Sequence, residues 1–328
     1  MNRPIRSLLG ALLGIAGMAQ LAPVEAQAWP SKPIHLIVAY PAGGGLDLVA
    51  RTVAQRLSEG LGQQVVVENR SGASGSIGAD YVARAAADGY TLLMASPAEV
   101  VVGPAAGQKV PYNPESDLLP VALAGETPLV IVVNPAVPAK NLAEFIAYAK
   151  ASPGKLSYGT PGTGSSMQFA GEALNAGIGA QIQHVPYRGA APALNDALGN
   201  QVPIAIVGMP PTVGHVKSGK LRAIAVTSAK RSSLMPDVPA VAELPGMKDY
   251  RFTNWMGVFA PARTPAPVVD RLGAEIAKMM QEPATRKLLL DNGVEPQGLR
   301  GVEFAAFLKS ERQRYAKVAA ERGIRFEE

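Results

Sequence analysis

Residues 34–57 read IHLIVAYPAGGGLDLVARTVAQRL. Ile34 to Ala39 is an apolar run of strand length, interrupted only by His35, and reads as a buried strand. It breaks at Tyr40-Pro41-Ala42-Gly43-Gly44-Gly45. Leu46, Val49, Ala50, Val53, Ala54 and Leu57 then recur at helical spacing and form one apolar face, with Gly60 and Gly62 as stop signals. Strand, glycine turn and helix make the basic unit. Outward from it, Val65 to Glu68 reads as a strand, Asn69 to Gly75 as a loop, Ile77 to Ala87 as a helix and Thr91 to Ala95 as a strand. This alternation predicts a parallel sheet with right-handed crossovers.

A second block repeats the pattern. Strands are expected at Leu129–Val133, Leu156–Gly159, Ile182–Val185, Ile204–Val207 and Leu221–Val226. Helices are expected at Leu142–Ala149, from Ser165 through Leu174, from Ala191 to Leu198, and near Val213–Lys217. Ser165 and Gln168 stand at capping-box spacing. After a proline-rich connection (Pro236, Pro239, Pro245), Trp255–Ala260 reads as a strand. Two helices, Pro267–Met280 and Val302–Glu321, are expected to finish the chain.

At 328 residues the chain has the length of two domains. Its 48% hydrophobic and 17% charged content is that of a globular protein. Aromatics are 5%, too few for base-stacking platforms, and the net charge of +5 is spread rather than clustered, which argues against a nucleic-acid surface. With no cysteine, disulfides, thiolate metal sites and a cysteine nucleophile are excluded. The N-terminus has a basic start (Arg3, Arg6), an apolar run from Leu8 to Leu21 and small residues at Ala26 and Ala28. These are the parts of a secretory signal peptide over residues 1–28, cleaved to leave Trp29 first and the protein in the periplasm. The run is short for a membrane span, and no Arg-Arg pair marks the twin-arginine route.

Chemistry is concentrated in turns between strand and helix. A helix N-terminus carries unpaired N–H groups and a partial positive charge, and glycines let an oxyanion approach them. Gly43-Gly44-Gly45 and Gly162-Thr163-Gly164 are two such turns, and Pro186-Tyr187-Arg188-Gly189 is a third. In an open α/β sheet all three lie at the carboxyl ends of strands, where ligands bind. Gly44 is expected to need glycine for close approach and for φ > 0. Arg188 offers a guanidinium fork suited to a carboxylate. Asp47 either braces the first glycine loop or touches ligand; Tyr40 and Tyr187 either line a pocket or pack. No G-x-G-x-x-G, Walker A or G-x-S-x-G pattern is present. His35, His184 and His215 pair with no second ligand at metal spacing.

Tyr40-Pro41-Ala42-Gly43-Gly44-Gly45-Leu46-Asp47, Val67-Glu68-Asn69-Arg70-Ser71-Gly72-Ala73, Ser157-Tyr158-Gly159-Thr160-Pro161-Gly162, His184-Val185-Pro186-Tyr187-Arg188-Gly189 and Gly257-Val258-Phe259-Ala260-Pro261 together resemble the Bug family. Its members are periplasmic solute-binding proteins of tripartite tricarboxylate transporters. The resemblance implies an α/β, two-lobed periplasmic-binding-protein fold of type II kind, each lobe a mostly parallel sheet flanked by helices. Lobe 1 would take residues 29–127 and 254–328, and lobe 2 residues 128–253. It also implies a small carboxylate in the cleft between the lobes. The residues expected to contact it are Tyr40, Pro41, Ala42, Gly43, Gly44, Gly45, Asp47 and Ser96 from lobe 1. From lobe 2 they are Thr160, Gly162, Thr163, Gly164, Ser165, Ser166, Tyr187, Arg188 and Gly189.

Three positions depart from the family pattern. Leu46 replaces a small polar residue, Ser96-Pro97-Ala98 a more polar loop, and Val207-Gly208 a strand end that often carries Asp. A less polar pocket, suited to an alkyl or aromatic carboxylate rather than an amino acid, is expected. The resemblance implies no cofactor, no metal and no nucleic acid, a monomer, and either transporter membrane subunits or a sensor kinase as partner. An enzyme with an oxyanion loop is the competing class; it needs a nucleophile beside a base, and no such spacing is visible.

Overall fold

The structure, a computed structural model, describes residues 29–325; the secretion signal read in residues 1–28 lies outside the described residues. The first half opens with β1 (Ile34–Val38), α1 (Gly45–Leu61), β2 (Val65–Asn69), α2 (Ser76–Ala83) and β3 (Thr91–Ala95). Ile34, Leu36, Ile37 and Val38 are fully buried, as the apolar run requires, and Val49, Val53 and Leu57 of α1 pack on them. α1 runs through Gly60 and stops at Gly62, whose φ of +69° closes the last turn onto Ser58 O. α2 ends at Ala83, earlier than the periodicity suggests.

After β3 the chain makes a wide turn, Ala98–Val102, in which the Gly103 N–H reaches back to Ala98 O, and a single helical turn, α3 (Gly103–Ala105). β4 (Leu118–Val133) follows. Only its end, Leu129–Val133, reads as a strand in the sequence, because Pro120, Gly125 and Pro128 punctuate the rest. The strand absorbs them by shifting register against its neighbour between Pro120 and Ala122 and between Leu123 and Gly125. The second half contains α4 (Leu142–Ala151), β5 (Leu156–Thr160), α5 (Ser166–Ile178), β6 (Ile182–Pro186), α6 (Ala190–Leu198), β7 (Ile204–Gly208), α7 (Val213–Lys217) and β8 (Arg222–Val226). β9 (Thr253–Pro261), α8 (Ala266–Met279), α9 (Pro283–Asp291), β10 (Glu295–Pro296) and α10 (Gly301–Arg322) complete it. α9 and β10 are additions to the sequence reading: both fall between the two helices expected to finish the chain.

Strand order runs β2-β1-β3-β9-β4-β7-β5-β6, with β8 and β10 also on β4. β2-β1-β3 and β6-β5-β7 are parallel blocks; β9 and β4 join them antiparallel. β4 belongs to both halves. Leu118–Pro128 pairs with β9, and Leu129–Val133 with β7 and β8. Counted within each half, both sheets therefore read second, first, third, incoming strand, fourth. This is the two-lobed α/β periplasmic-binding-protein architecture.

Among the described residues, buried apolar side chains form three groups. One packs α1 and α8 against the first half-sheet, and another packs α6 against the second. The largest spans both halves, with Trp255, Phe259, Phe304, Phe307 and Tyr315 joining β9 and α10. At its centre Glu311 of α10 is fully buried. It accepts from Trp255 Nε1 at 3.0 Å and Arg251 Nη2 at 3.0 Å, and pairs with Arg314.

Candidate functional site

A cleft of about 560 Å³ opens where the two halves face each other. Tyr40, Pro41, Ala42, Gly43, Gly44, Gly45 and Leu46 line it from the first half, with Ser96 and Ala98. Ser165, Ser166 and Met167 line it from the second, and Asn254 from β9. The two walls are built alike. Gly44, Gly45 and Leu46 are the N-cap and first two residues of α1; Ser165, Ser166 and Met167 are the same three positions of α5. The cleft therefore lies between two helix N-termini, each at the carboxyl end of a central strand, β1 and β5.

No side chain caps α1. Its first N–H groups have no intrahelical acceptor. Gly43 takes φ +86°, a conformation glycine adopts without cost, and its N–H is held by Asp47 Oδ2 at 3.0 Å. Gly44 itself has φ −83° and ψ 170°, ordinary extended backbone, so the expected positive φ belongs to Gly43. A β-carbon on Gly44 would come no nearer than 3.9 Å to Pro41 O, and on Gly45 would meet nothing within 4 Å. In α5, Ser165 Oγ accepts from Gln168 N at 3.3 Å and donates to Gly162 O at 2.7 Å. Gln168 Oε1 accepts from Gly164 N at 2.7 Å, one residue beyond the capping-box position. The N–H groups of Ser166 and Met167 remain directed at the cleft end of the helix.

Each loop has a brace behind it. Asp47 is buried and accepts from Gly43 N, from Arg51 Nε at 2.8 Å and Nη2 at 3.1 Å, and from Asn69 Nδ2 at 2.9 Å. The Arg51 hydrogen bonds hold its carboxyl down at about 2, with help from Gly43 and Asn69 against the cost of burial. Its oxygens are thus committed to the loop. Thr160 is fully buried; its Oγ1 lies 2.7 Å from His184 Nε2 and donates to Gly162 O at 3.2 Å. Asp47 and Thr160 shape the site from behind rather than line it.

The remaining expected residues stand apart from the lining in this conformation. Gly162, Thr163 and Gly164 form the turn below Ser165. Tyr187 donates from its hydroxyl to Asp196 Oδ2 at 2.6 Å, and Gly189 N–H donates to Pro161 O at 3.0 Å. Arg188 between them is exposed. In this conformation Arg188 is a rim charge, placed to act on encounter. Arg188→Ala is expected to slow association of an anionic ligand and flatten its salt dependence, as stopped-flow fluorescence would show.

The cleft is also lined by Leu46 and Ala98, which the sequence reading singled out as departures toward a less polar pocket, and by Met167 and Asn254, which it did not select. Leu46 and Met167 are apolar second residues of glycine- or serine-opened helices, and Asn254 is the polar residue where β9 enters an apolar strand. Those positions were the available signal. Among the described residues none that lines the cleft is charged, and no cluster of potential metal ligands occurs. Beneath the lining, Glu99 is buried, 2.7 Å from Ser96 N, 2.7 Å from Ser96 Oγ and 3.1 Å from the Tyr40 hydroxyl.

Residues 49–324 match the family described as tripartite tricarboxylate transporter family receptor. The chain belongs to this receptor family. The receptor is 38% identical to Protein BugT of Bordetella pertussis, over 97% of both chains. Among solved structures, it resembles Rpa4515 of R. palustris with adipate (34% identity, TM-score 0.76, covering 90% of this chain and 99% of that one). It also resembles MatC of Rhodopseudomonas palustris with bound malate (30% identity, TM-score 0.71, covering 88% and 99%). The receptor is thus a periplasmic-type solute-binding protein of the Bug kind. Among its described residues no helix is long and apolar enough to cross a membrane.

Proposed function

We propose that this receptor captures a small carboxylate in the cleft between α1 and α5 and delivers it to the membrane subunits of a tripartite tricarboxylate-type transporter. The observation that carries the reading is the pairing of two helix N-termini across one cleft with no charged side chain on its walls. Backbone N–H groups and helix dipoles attract an anion there without a cation. Leu46, Met167 and Ala98 leave room for an alkyl or aryl body. The relatives solved with adipate and malate support the ligand class.

On this reading the protein works in the periplasm after loss of residues 1–28, and catalyses nothing. Residues 29–127 with 254–328 and residues 128–253 act as two lobes, turning about β4 near Pro128 and β9 near Thr253, a pair in register. Tyr40 to Gly45, Ser96, Ser165 and Ser166 form the contact set. The Gly162 turn and the Tyr187–Gly189 loop approach as the lobes close.

A panel of carboxylates tests the reading by thermal shift. An acid present at a hundredfold excess over its dissociation constant is expected to stabilise the folded protein by about 2.7 kcal/mol. Inorganic phosphate and neutral sugars should give no shift. Stabilisation by sugars with none by any carboxylate would overturn the assignment.

A further inference from the structure

Glu99 is an acid placed under the floor of a cleft built for anions. It lies in the wide turn after β3 and is 1% exposed. Its Oε1 faces Ser96 N at 2.7 Å; its Oε2 faces Ser96 Oγ at 2.7 Å and the Tyr40 hydroxyl at 3.1 Å. Ser96 and Tyr40 are both lining residues. Each hydroxyl owns a single proton. When Glu99 is ionised it can only accept, so both protons turn down toward it, the Tyr40 proton in preference to Ser74 O at 3.3 Å, and the lone pairs not taken by Ala98 N, 3.4 Å from Ser96 Oγ, face the cleft. When Glu99 is protonated it donates to one of these hydroxyls, which frees that hydroxyl's proton for the ligand.

We propose that Glu99 is the specificity-determining residue of this cleft: it fixes the floor as acceptor, so the cleft takes a monocarboxylate in preference to the dicarboxylate of the same chain length, and takes the dicarboxylate only together with a proton. This rests on the carboxylate reading above. One carboxylate is held by the helix N-termini. A second, reaching Ser96 and Tyr40, meets lone pairs and the buried charge behind them.

Among the described residues no cation forms a salt bridge with Glu99. The Tyr112 hydroxyl donates to its backbone carbonyl at 2.8 Å, and Asp80 of α2 lies beyond Tyr112. From the turn before α2, Gly75 closes over the carboxyl so tightly that a β-carbon there would sit 3.0 Å from it. α10 packs on the same turn and carries Arg312, which pairs with Glu115 at 3.6 Å. Burial pushes the Glu99 carboxyl up to about 7, against the opposing pull of the Ser96 hydrogen bonds. Proton uptake therefore falls in an accessible range. A second anion nearby raises the affinity of Glu99 for its proton, so by linkage a falling pH tightens binding of that anion.

Calorimetry of hexanoate against adipate, and of butanoate against succinate, between about pH 5.5 and 8.5 tests the proposal. Monocarboxylate affinity should change less than about threefold over this range. Dicarboxylate affinity should rise by up to about tenfold per pH unit as pH falls toward 7, with proton uptake visible in buffers of different ionisation enthalpy. Glu99→Gln keeps an acceptor for Ser96 N and turns its amide donors toward the two hydroxyls. It should abolish the pH dependence and bring the dicarboxylate to its low-pH affinity at every pH. Dicarboxylate binding that is as tight as monocarboxylate binding and independent of pH in the unmodified protein would overturn the role of Glu99 while leaving the carboxylate site standing. Failure of every acid to bind at any pH would overturn both.

Discussion

Gly44→Val is expected to abolish ligand binding and leave the fold intact. Gly44 has extended φ and ψ, so valine adopts its backbone conformation without strain. Its β-carbon would enter the open space in front of α1, the space an anion must occupy to reach the first N–H groups of the helix. Hydrogen bonds to a charged group contribute roughly 1.5–3 kcal/mol each. Losing two of them weakens binding by at least about 100-fold. The ligand-free melt should shift by less than about 0.5 kcal/mol in stability. Calorimetry and a thermal melt on the same preparation check both halves. A variant that binds within tenfold of the parent would show that α1 does not hold the ligand. Gly43→Val, by contrast, should be strained, because that residue has φ +86°.

Glu311→Ala is expected to be the most destabilising single substitution in the hinge region. The carboxylate is fully buried and holds Trp255 Nε1, Arg251 and Arg314 together under the strand that enters the first lobe. Arg251 also lies over the Phe307 ring at 4.2 Å, so it cannot leave without disturbing the aromatic group. Removing the Glu311 carboxylate leaves Trp255 Nε1 without an acceptor and two arginines, 22% and 18% exposed, without their partner, at a cost of about 3 kcal/mol, the low end for a buried pair. That is a large share of the stability of any domain. Urea unfolding would measure it, and a loss below about 1 kcal/mol would contradict the account.

Most of the architecture was legible because its strands are short apolar runs closed by glycine or proline. Ile34–Val38, apart from the exposed His35, and Ile204–Val207 are buried on both faces and read directly from composition. β4 was not legible at its start: Pro120 and Pro128 argue against a strand, and only pairing with β9 and β10 across its bulges makes one. That the glycine loop and the serine-capped turn open helices at the ends of strands was visible from local chemistry alone. Whether a loop residue faces the cleft or its own support was not. For Asp47 bracing and contact both stood open, and its bonds to Gly43, Arg51 and Asn69 are those of a brace; Thr160, expected at the ligand, is engaged by Gly162 and by His184 of the neighbouring strand. Glu99 gave only the weak signal of one acid before the apolar run Val100–Val102. Its meaning depends on Tyr40, a residue distant in sequence that the sheet brings beside it.

In the proposed binding mode, one carboxylate is held by backbone N–H groups at the facing ends of α1 and α5. A crystal structure with the tightest-binding acid of the panel tests it most directly. The account predicts carboxylate oxygens within about 2.7–3.2 Å of N–H groups in Gly44–Leu46 and in Ser166–Met167. A carboxylate seated instead on the Arg188 guanidinium, with both helix ends facing water, would contradict it.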